Sequence, residues 1–389
     1  MMMQLSTACA LLGLATSVFA IPATPVAPRH SPSSPQTSVI AVDFLQPWAF
    51  AFLPDNRILV TERNGSLRLV NPVTGAKGHI TGVPTVSWAG VTIFGQGGLG
   101  DVVLHPKYHQ NKLVYISYAE PGTNTLPPDA VVARAVVARG KLVLNNSGGG
   151  SLQNVQVIWR QSEEILGDGH FGHRILFHGR NDTLFITSGD RQQFDPAQSP
   201  TSNLGKIIRL HDDGSVPSDN PFFSSGGVTA QIWASGIRNP YGIDFDQQGR
   251  LWEIEMGPFG GDEFNLIQKG ANYGWPIVSN GDHYDGTPIP NHDTRPEFNA
   301  PKVWWAPVIS PAGLIIYKGK LFKHWKGNAL IAGLGAQGLV RVQIYGNNTA
   351  AEVERIPLGQ RIRGVREGPG GAIYVIEDGP GGRLLKLTP

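Results

Sequence analysis

The 389-residue chain is 41% hydrophobic and only 16% charged, with 49 Gly and 30 Pro; helical bundles and coiled coils, built from Ala, Glu, Lys and Leu, are excluded. Nine Trp, nine Tyr and sixteen Phe need a core to bury them, which excludes a disordered chain. Thirty-two Lys plus Arg against thirty Asp plus Glu leave a formal charge of +2, so the chain lacks the basic surface of a nucleic-acid binder. What remains is a turn-rich, mostly β protein.

Residues 1–20, MMMQLSTACALLGLATSVFA, read as a secretory signal peptide. The apolar stretch from Ala8 to Ala20 is too short to span a bilayer, and Val18-Phe19-Ala20 closes it with an A-x-A-like pattern. The single cysteine, Cys9, lies inside it, so the mature chain has no thiol and no disulfide. Residues 21–38 form a Pro/Ser-rich linker. Sequons at Asn64, Asn145, Asn181 and Asn347 are glycan acceptors on a eukaryotic secretory route. No second long apolar run follows, so an extracellular, secreted protein without a membrane span is expected.

From residue 39 to 389 one phrase recurs: a short β-rich run, a polar turn, and a second run of alternating apolar residues. Examples are AFAFLPDNRILVTERNGSLRLV from Ala49, HRILFHGRNDTLFITSGD from His173, GIDFDQQGRLWEIEMG from Gly242 and RGVREGPGGAIYVIEDGPGGRLLKL from Arg363. The PDN, GRND, DQQG and GPGG turns are hairpin chemistry. No stretch of ten residues keeps a helical period. Units 50 to 85 residues apart fit an all-β, six-bladed β-propeller with long inter-blade loops. Closure would pair the strand near Ser38–Phe44 with the C-terminal LLKLT run. A pair of sandwiches would need a mid-chain linker, and none is present.

In such a fold the chemistry sits in Gly-rich loops at one mouth. GQGGLGD places Gln96 where backbone can approach a ligand closely. GDGHFGHRI offers His170 and His173, imidazoles suited to general-base work near neutral pH, though a surface or turn histidine is the plainer explanation of each. SGIRNPYG offers the guanidinium fork of Arg238 and the amide of Asn239, in a dipeptide context that also starts turns. EMGPFGGDEFNLIQKGANYGWP could turn the carbonyls of Gly257 and Pro258 toward a hard cation, with oxygens from Asp262, Glu263 and Tyr273, although the spacing matches no EF-hand. GQRIRGV sets Arg361 and Arg363 two residues apart, on one face of a strand, able to converge on an anion or simply to face water.

Taken in order, QGGLGDVVLHPKY, GHFGHRI, IWASGIRNPYGIDF, EMGPFGGDEFNLIQKGANYGWP and GQRIRGV resemble the soluble glucose/sorbosone dehydrogenases, which use pyrroloquinoline quinone (PQQ) and calcium. The likeness runs from about Phe44 to Leu387 and is strongest to the compact aldose sugar dehydrogenases. It implies that His170 takes the proton of the anomeric hydroxyl and that Arg238 stabilises the developing oxyanion. It implies that Asn239 and Gln96 contact the cofactor, and that Arg361 and Arg363 clamp its carboxylates. The Gly257 and Pro258 carbonyls would hold the calcium that grips the quinone, with Glu263 and Tyr273 at a structural calcium. The chain departs from the glucose-specific members twice: Gly335-Ala336-Gln337 stands where they carry a cofactor-contacting lysine, and Gly169 where they are acidic. Trp304 and Trp305 could stack on a sugar or pack in the core. The expected activity is oxidation of aldoses to lactones with electrons passed to an external acceptor. The competing expectation is a non-catalytic propeller that binds a protein or glycan; a calcium-dependent lactonase would need a carboxylate- and asparagine-lined metal that the sequence does not assemble.

Overall fold

The computed structural model describes residues 35–90, 95–123, 131–179 and 182–389. The expected signal peptide, Cys9, linker residues 21–34 and the Asn181 sequon lie outside these. Among the described residues the fold is all-β, as expected. Its one α-helix is the four-residue Tyr108–Asn111, and no helix is long and apolar enough to cross a membrane.

Successive antiparallel meanders of four strands follow one another along the chain. Their first strands are Pro47–Phe52, Leu99–Leu104, Gly172–His178, Pro240–Phe245, Pro311–Ile316 and Ile362–Glu367. Each first strand packs against the next, and Ile362–Glu367 packs back onto Pro47–Phe52, so the ring closes. The first two meanders also join edge to edge through a short parallel pairing, Ile80 with Gly150 and Thr81 with Ser151. The last meander takes its fourth strand from the start of the chain: Gln36–Leu45 pairs antiparallel with Pro380–Thr388, Ser38 opposite Lys386 and Phe44 opposite Gly382. This is the expected closure. The strand starts at Gln36, so residues 36–38 belong to the sheet and not to the linker; their pairing with the C-terminal run outweighs a local Pro/Ser composition.

The hairpins follow the turn residues. At DQQGR, Asp246 Oδ1 accepts from the backbone N–H groups of Gln248 and Arg250, both at 2.9 Å, while Gly249 takes φ +79°. Apolar side chains fill the interfaces between neighbouring meanders, as where Leu59, Leu67 and Ile80 meet Leu99, Val114 and Val136. Trp305 is in this interior and donates to Glu352 at 2.6 Å; Trp304 is half exposed.

One buried cation lies at the centre. Arg174, on the strand Gly172–His178, donates through Nε to the Tyr241 carbonyl at 2.7 Å and through Nη2 to the carbonyls of Ala312 and, at 3.4 Å, Arg363. Its Nη1 meets Asp101 at 3.4 Å, and its guanidinium stacks 4.0 Å from the Trp48 ring. Arg174 thereby touches the first strands of all the other meanders. Burial lowers its pKa to about 10, with Asp101 opposing, so it stays charged at neutral pH. Removing one partner of a buried charge network leaves the rest unpaired at a cost of about 3–5 kcal/mol. Arg174→Met should therefore lose about that much stability by urea unfolding; a loss below about 1 kcal/mol would show that the ring closes without it.

Candidate active site

Gln96, His170, Arg238, Asn239, Arg361 and Arg363 lie at or next to the leading ends of the first strands, whereas Gly257, Pro258, Glu263 and Tyr273 come from later strands and turns of one meander. Gln96 is the junction. Its Oε1 accepts from the His170 backbone N–H at 2.9 Å, the Tyr241 hydroxyl at 2.6 Å and Asn239 Nδ2 at 3.3 Å. The glycines beside it allow this: a side chain at Gly97 would put its Cβ 2.3 Å from Asp168 Oδ1, and one at Gly98 would meet the Arg63 carbonyl at 2.0 Å. Asp168 Oδ1 instead accepts the Gly97 N–H at 2.8 Å.

His170 is 5% exposed. Its Nδ1 contacts Asp190 Oδ1 at 2.6 Å, and the other carboxylate oxygen accepts Trp275 Nε1–H at 2.7 Å. Asp190 thus fixes the ring through Nδ1 and leaves Nε2 as the nitrogen able to accept a proton. Burial, and then the Arg238 charge, hold the His170 pKa below 6.5 despite Asp190. For Asp190, burial alone would raise the carboxyl; His170 and the other partners outweigh it and hold it below the usual range.

Arg238 is nearly buried. It donates from Nη1 to the carbonyls of Met256 and Gly257, at 2.9 and 2.7 Å, and lies 5.2 Å from the Trp275 ring. Its loop is held from behind by Glu255, whose Oε2 accepts the backbone N–H of Arg238 at 2.5 Å and of Asn239 at 3.2 Å. Burial, and then neighbouring carboxylates, raise Glu255 and Glu253 well above the usual range. Arg363 lies 5.9 Å from the Tyr241 ring, which ties it to the Gln96 junction. Arg361 and Arg363 do converge, but on Asp378, at 3.0 and 2.9 Å. The Arg361 side chain is 52% exposed and that of Arg363 only 11%, so the inner arginine is the better placed.

Gly257, Pro258, Glu263 and Tyr273 all line one small cavity with Arg238, Glu255 and Trp275. The Gly257 carbonyl is already occupied by Arg238. Its N–H goes to Asp262 Oδ1 at 2.9 Å, and Asp262 Oδ2 accepts from Ile309 and Ser310 at 2.8 and 2.7 Å. Asp262 therefore ties this turn to the next loop, and burial pushes it up to about 6. The Tyr273 hydroxyl is spent on the Leu266 carbonyl and the Gln268 N–H, at 2.6 and 2.9 Å. Glu263 meets His292 at 3.2 Å and Asn265 Nδ2 at 3.1 Å. Among the described residues no three His, Cys, Asp or Glu side chains form a metal-binding group. Several buried polar atoms around the site lack a protein partner: Arg63 Nη2, Arg238 Nε and Asn239 Oδ1 near the junction, and Glu253 Oε1 and Asn265 Oδ1 behind the cavity.

Asp190, Arg63, Tyr241, Trp275 and Glu255 escaped the sequence reading. Asp190 ends the run FITSGD after a strand, a polar residue in a Gly loop at the expected mouth, and that position was the available signal. His173 has the plainer role. It is buried between Phe171 and Trp48, both ring nitrogens lack partners, and burial, followed by nearby arginines, pushes it down to about 3. The unfolded chain protonates it below pH 6.5 while the folded chain does not, so stability falls with pH by about 1.4 kcal/mol per unit from this group. His173→Phe should flatten the stability loss between pH 6.5 and 4 by about that slope, read by urea unfolding at several pH values; an unchanged slope would contradict the burial argument.

A family model described as Glucose / Sorbosone dehydrogenase matches residues 44–386. The aldose sugar dehydrogenase YliI of Escherichia coli (strain K12) is 36% identical over 366 residues, covering 92% of this chain and 94% of the relative. The crystal structure of the soluble aldose sugar dehydrogenase from Escherichia coli, in its apo-form, superposes with a TM-score of 0.82 at 36% identity, covering 92% of this chain and all of that one. The PQQ-bound form of an aldose sugar dehydrogenase from Streptomyces coelicolor gives 0.71 at 25% identity, covering 92% of this chain and 99% of that one.

Proposed function

The chain belongs to the glucose/sorbosone dehydrogenase family, and from that membership we propose that it is a secreted quinoprotein that oxidises aldose sugars at C1 to lactones, using pyrroloquinoline quinone and calcium and passing electrons to an external acceptor. We read the closed ring of meanders as the six blades of a β-propeller with this site at one mouth. The observation that carries the reading is the pairing of a buried imidazole, oriented by Asp190, with the Arg238 guanidinium, which packs on the same Trp275 that donates to Asp190.

The residues present fit both cofactors. A flat tricarboxylate needs cationic donors, and Arg63, Arg238 and Arg363 surround the junction with unpartnered N–H groups on two of them. Burial, and then the nearby Arg363, lower the Arg63 pKa, so an anion placed between the two relieves their repulsion. Gln96, Asn239, Arg361 and Arg363 would hold the quinone. Gly257 and Pro258 would hold its calcium, with Arg238 yielding the Gly257 carbonyl, and Glu263 would hold a structural calcium beside the orphaned oxygens of Glu253 and Asn265, with Tyr273 contributing its backbone carbonyl because its hydroxyl is spent. When bound, the quinone supplies a two-electron acceptor whose carbonyl the calcium polarises.

The protein's own part is proton transfer and charge. His170 Nε2 accepts the C1-hydroxyl proton, and Asp190 stabilises the imidazolium that forms. Arg238 faces the developing oxyanion with its charge fixed in a buried setting. Trp275 keeps Asp190 dry on its far side.

Adding PQQ and calcium to the purified protein should give a bound-cofactor visible spectrum and aldose-dependent dye reduction; neither appearing would leave the ring as a binding scaffold. His170→Ala should cut turnover by about 10²–10⁴-fold with cofactor affinity nearly intact. Arg363→Ala should weaken cofactor binding by about 10- to 100-fold, and Arg361→Ala by much less. Because His170 is held neutral below its ordinary range, the acid limb of kcat/KM should have its midpoint below pH 6.5; a midpoint above 6.5 would exclude this imidazole as the base.

A further inference from the structure

The first strands have a leading end, near Gln96, His170 and Arg238, and a trailing end that the chemistry above does not use. At the trailing end lies a cavity of about 440 Å³, to whose wall every first strand contributes. That volume is within the ~300–1,000 Å³ of small-molecule pockets. Much of the wall is aliphatic. Ala51, Val103, Leu176, Ile243 and Ile315 line it, and the first three are only half-buried. Apolar surface left facing water in a concavity favours an apolar guest.

The charged groups on the same wall differ in what they have left to bond. Asp101 is spent: its Oδ1 accepts from Arg174 Nη1 at 3.4 Å and Arg366 Nη2 at 3.2 Å, and its two oxygens also take the N–H groups of Val102 and Ile175. Asp244 accepts the Ile316 and Phe245 N–H groups at 2.7 and 2.8 Å. Glu367 accepts those of Lys318 and Gly319 at 2.9 and 3.0 Å. The carboxylates are thus engaged by the backbone, whereas the cations keep donors in hand. Among the described residues Arg366 has Asp101 as its one side-chain partner, which leaves Nε and Nη1 unused. Lys318 has Asp244 alone, at 3.3 Å, and half its side chain is exposed.

We propose that this cavity binds a small aliphatic carboxylate, its head on Arg366 and Lys318 and its tail on the wall of Ala51, Val103 and Leu176. A guanidinium with a free edge takes a carboxylate as a fork, and an ammonium nearby adds charge. The hydrocarbon part then covers the half-buried wall. This site goes beyond the sugar chemistry and does not depend on it.

Calorimetric titration of octanoate into the full chain tests it, with octanol as the uncharged counterpart. Octanoate should bind, and octanol should bind about tenfold more weakly for want of the charge-assisted bonds. Arg366→Gln should weaken octanoate by a similar factor, and Ala51→Phe, which fills the cavity, should abolish its binding. Melting temperatures check that each variant folds, and either folded variant suffices. Arg363→Ala, at the other end of the ring, should bind octanoate as the wild type does. Failure of octanoate to bind, equal affinity for octanol, or wild-type affinity in a folded Arg366→Gln or Ala51→Phe chain overturns the proposal. So does loss of binding in Arg363→Ala, which would move the carboxylate to the cationic junction at the mouth. Sugar oxidation is measured separately, so its absence would overturn the dehydrogenase reading and leave this site standing.

Discussion

A single guanidinium reaches every part of the ring. Arg174 contacts the first strands of all the other meanders, through carbonyls of Tyr241, Ala312 and Arg363, the carboxylate of Asp101 and the face of Trp48. A buried charge tolerates little displacement of its partners. Its contacts therefore set the relative positions of strands that are far apart in sequence. The leading ends of those strands carry the site. Two threonines add shorter ties: Thr61 donates to the Gly100 carbonyl at 2.7 Å and Thr187 to that of Pro240 at 3.0 Å.

On this frame the site is assembled by polar atoms that each serve several loops. One oxygen of Gln96 gathers His170, Asn239 and Tyr241; one carboxylate, Asp190, connects His170 to Trp275; another, Glu255, holds two consecutive amides of the Arg238 turn. Gln96, His170, Asp190, Arg238 and Asn239 lie outside strands and helices, so their positions are held by shared hydrogen bonds in a dry setting. Burial, and then the charge of Arg363, lower the Arg63 pKa, so an anion added beside the two would be favoured.

The repeating architecture was legible because alternation and turn chemistry are local. The DQQG turn and the pairing of Ser38–Phe44 with the C-terminal run follow from residues a few positions apart or from the need to remove free edges. The loops that meet at the mouth were legible as Gly-rich segments. The partners that give them geometry were not. Nothing in ITSGDRQQF marks Asp190 as the companion of His170 twenty residues earlier, and nothing in GHFGHRI separates the imidazole that meets Asp190 from His173, which burial makes a core residue. Asp378 as the counter-charge to both Arg361 and Arg363, and Arg174 as the hub, arise only when the ring is closed. Long-range pairing of charges leaves no local sequence period to read.

The seam between Gln36–Leu45 and Pro380–Thr388 has a consequence for biosynthesis. During synthesis Gln36–Leu45 emerges well before its partner, and it stays unpaired until Pro380–Thr388 has been made. Earlier meanders can form during elongation, whereas the ring stays open until Pro380–Thr388 emerges. Arg363 and Asp378 belong to the same last-made portion, so the pocket's inner guanidinium arrives together with the latch. Truncated products, which carry an unpaired strand edge, would be marked for clearance by that same exposure.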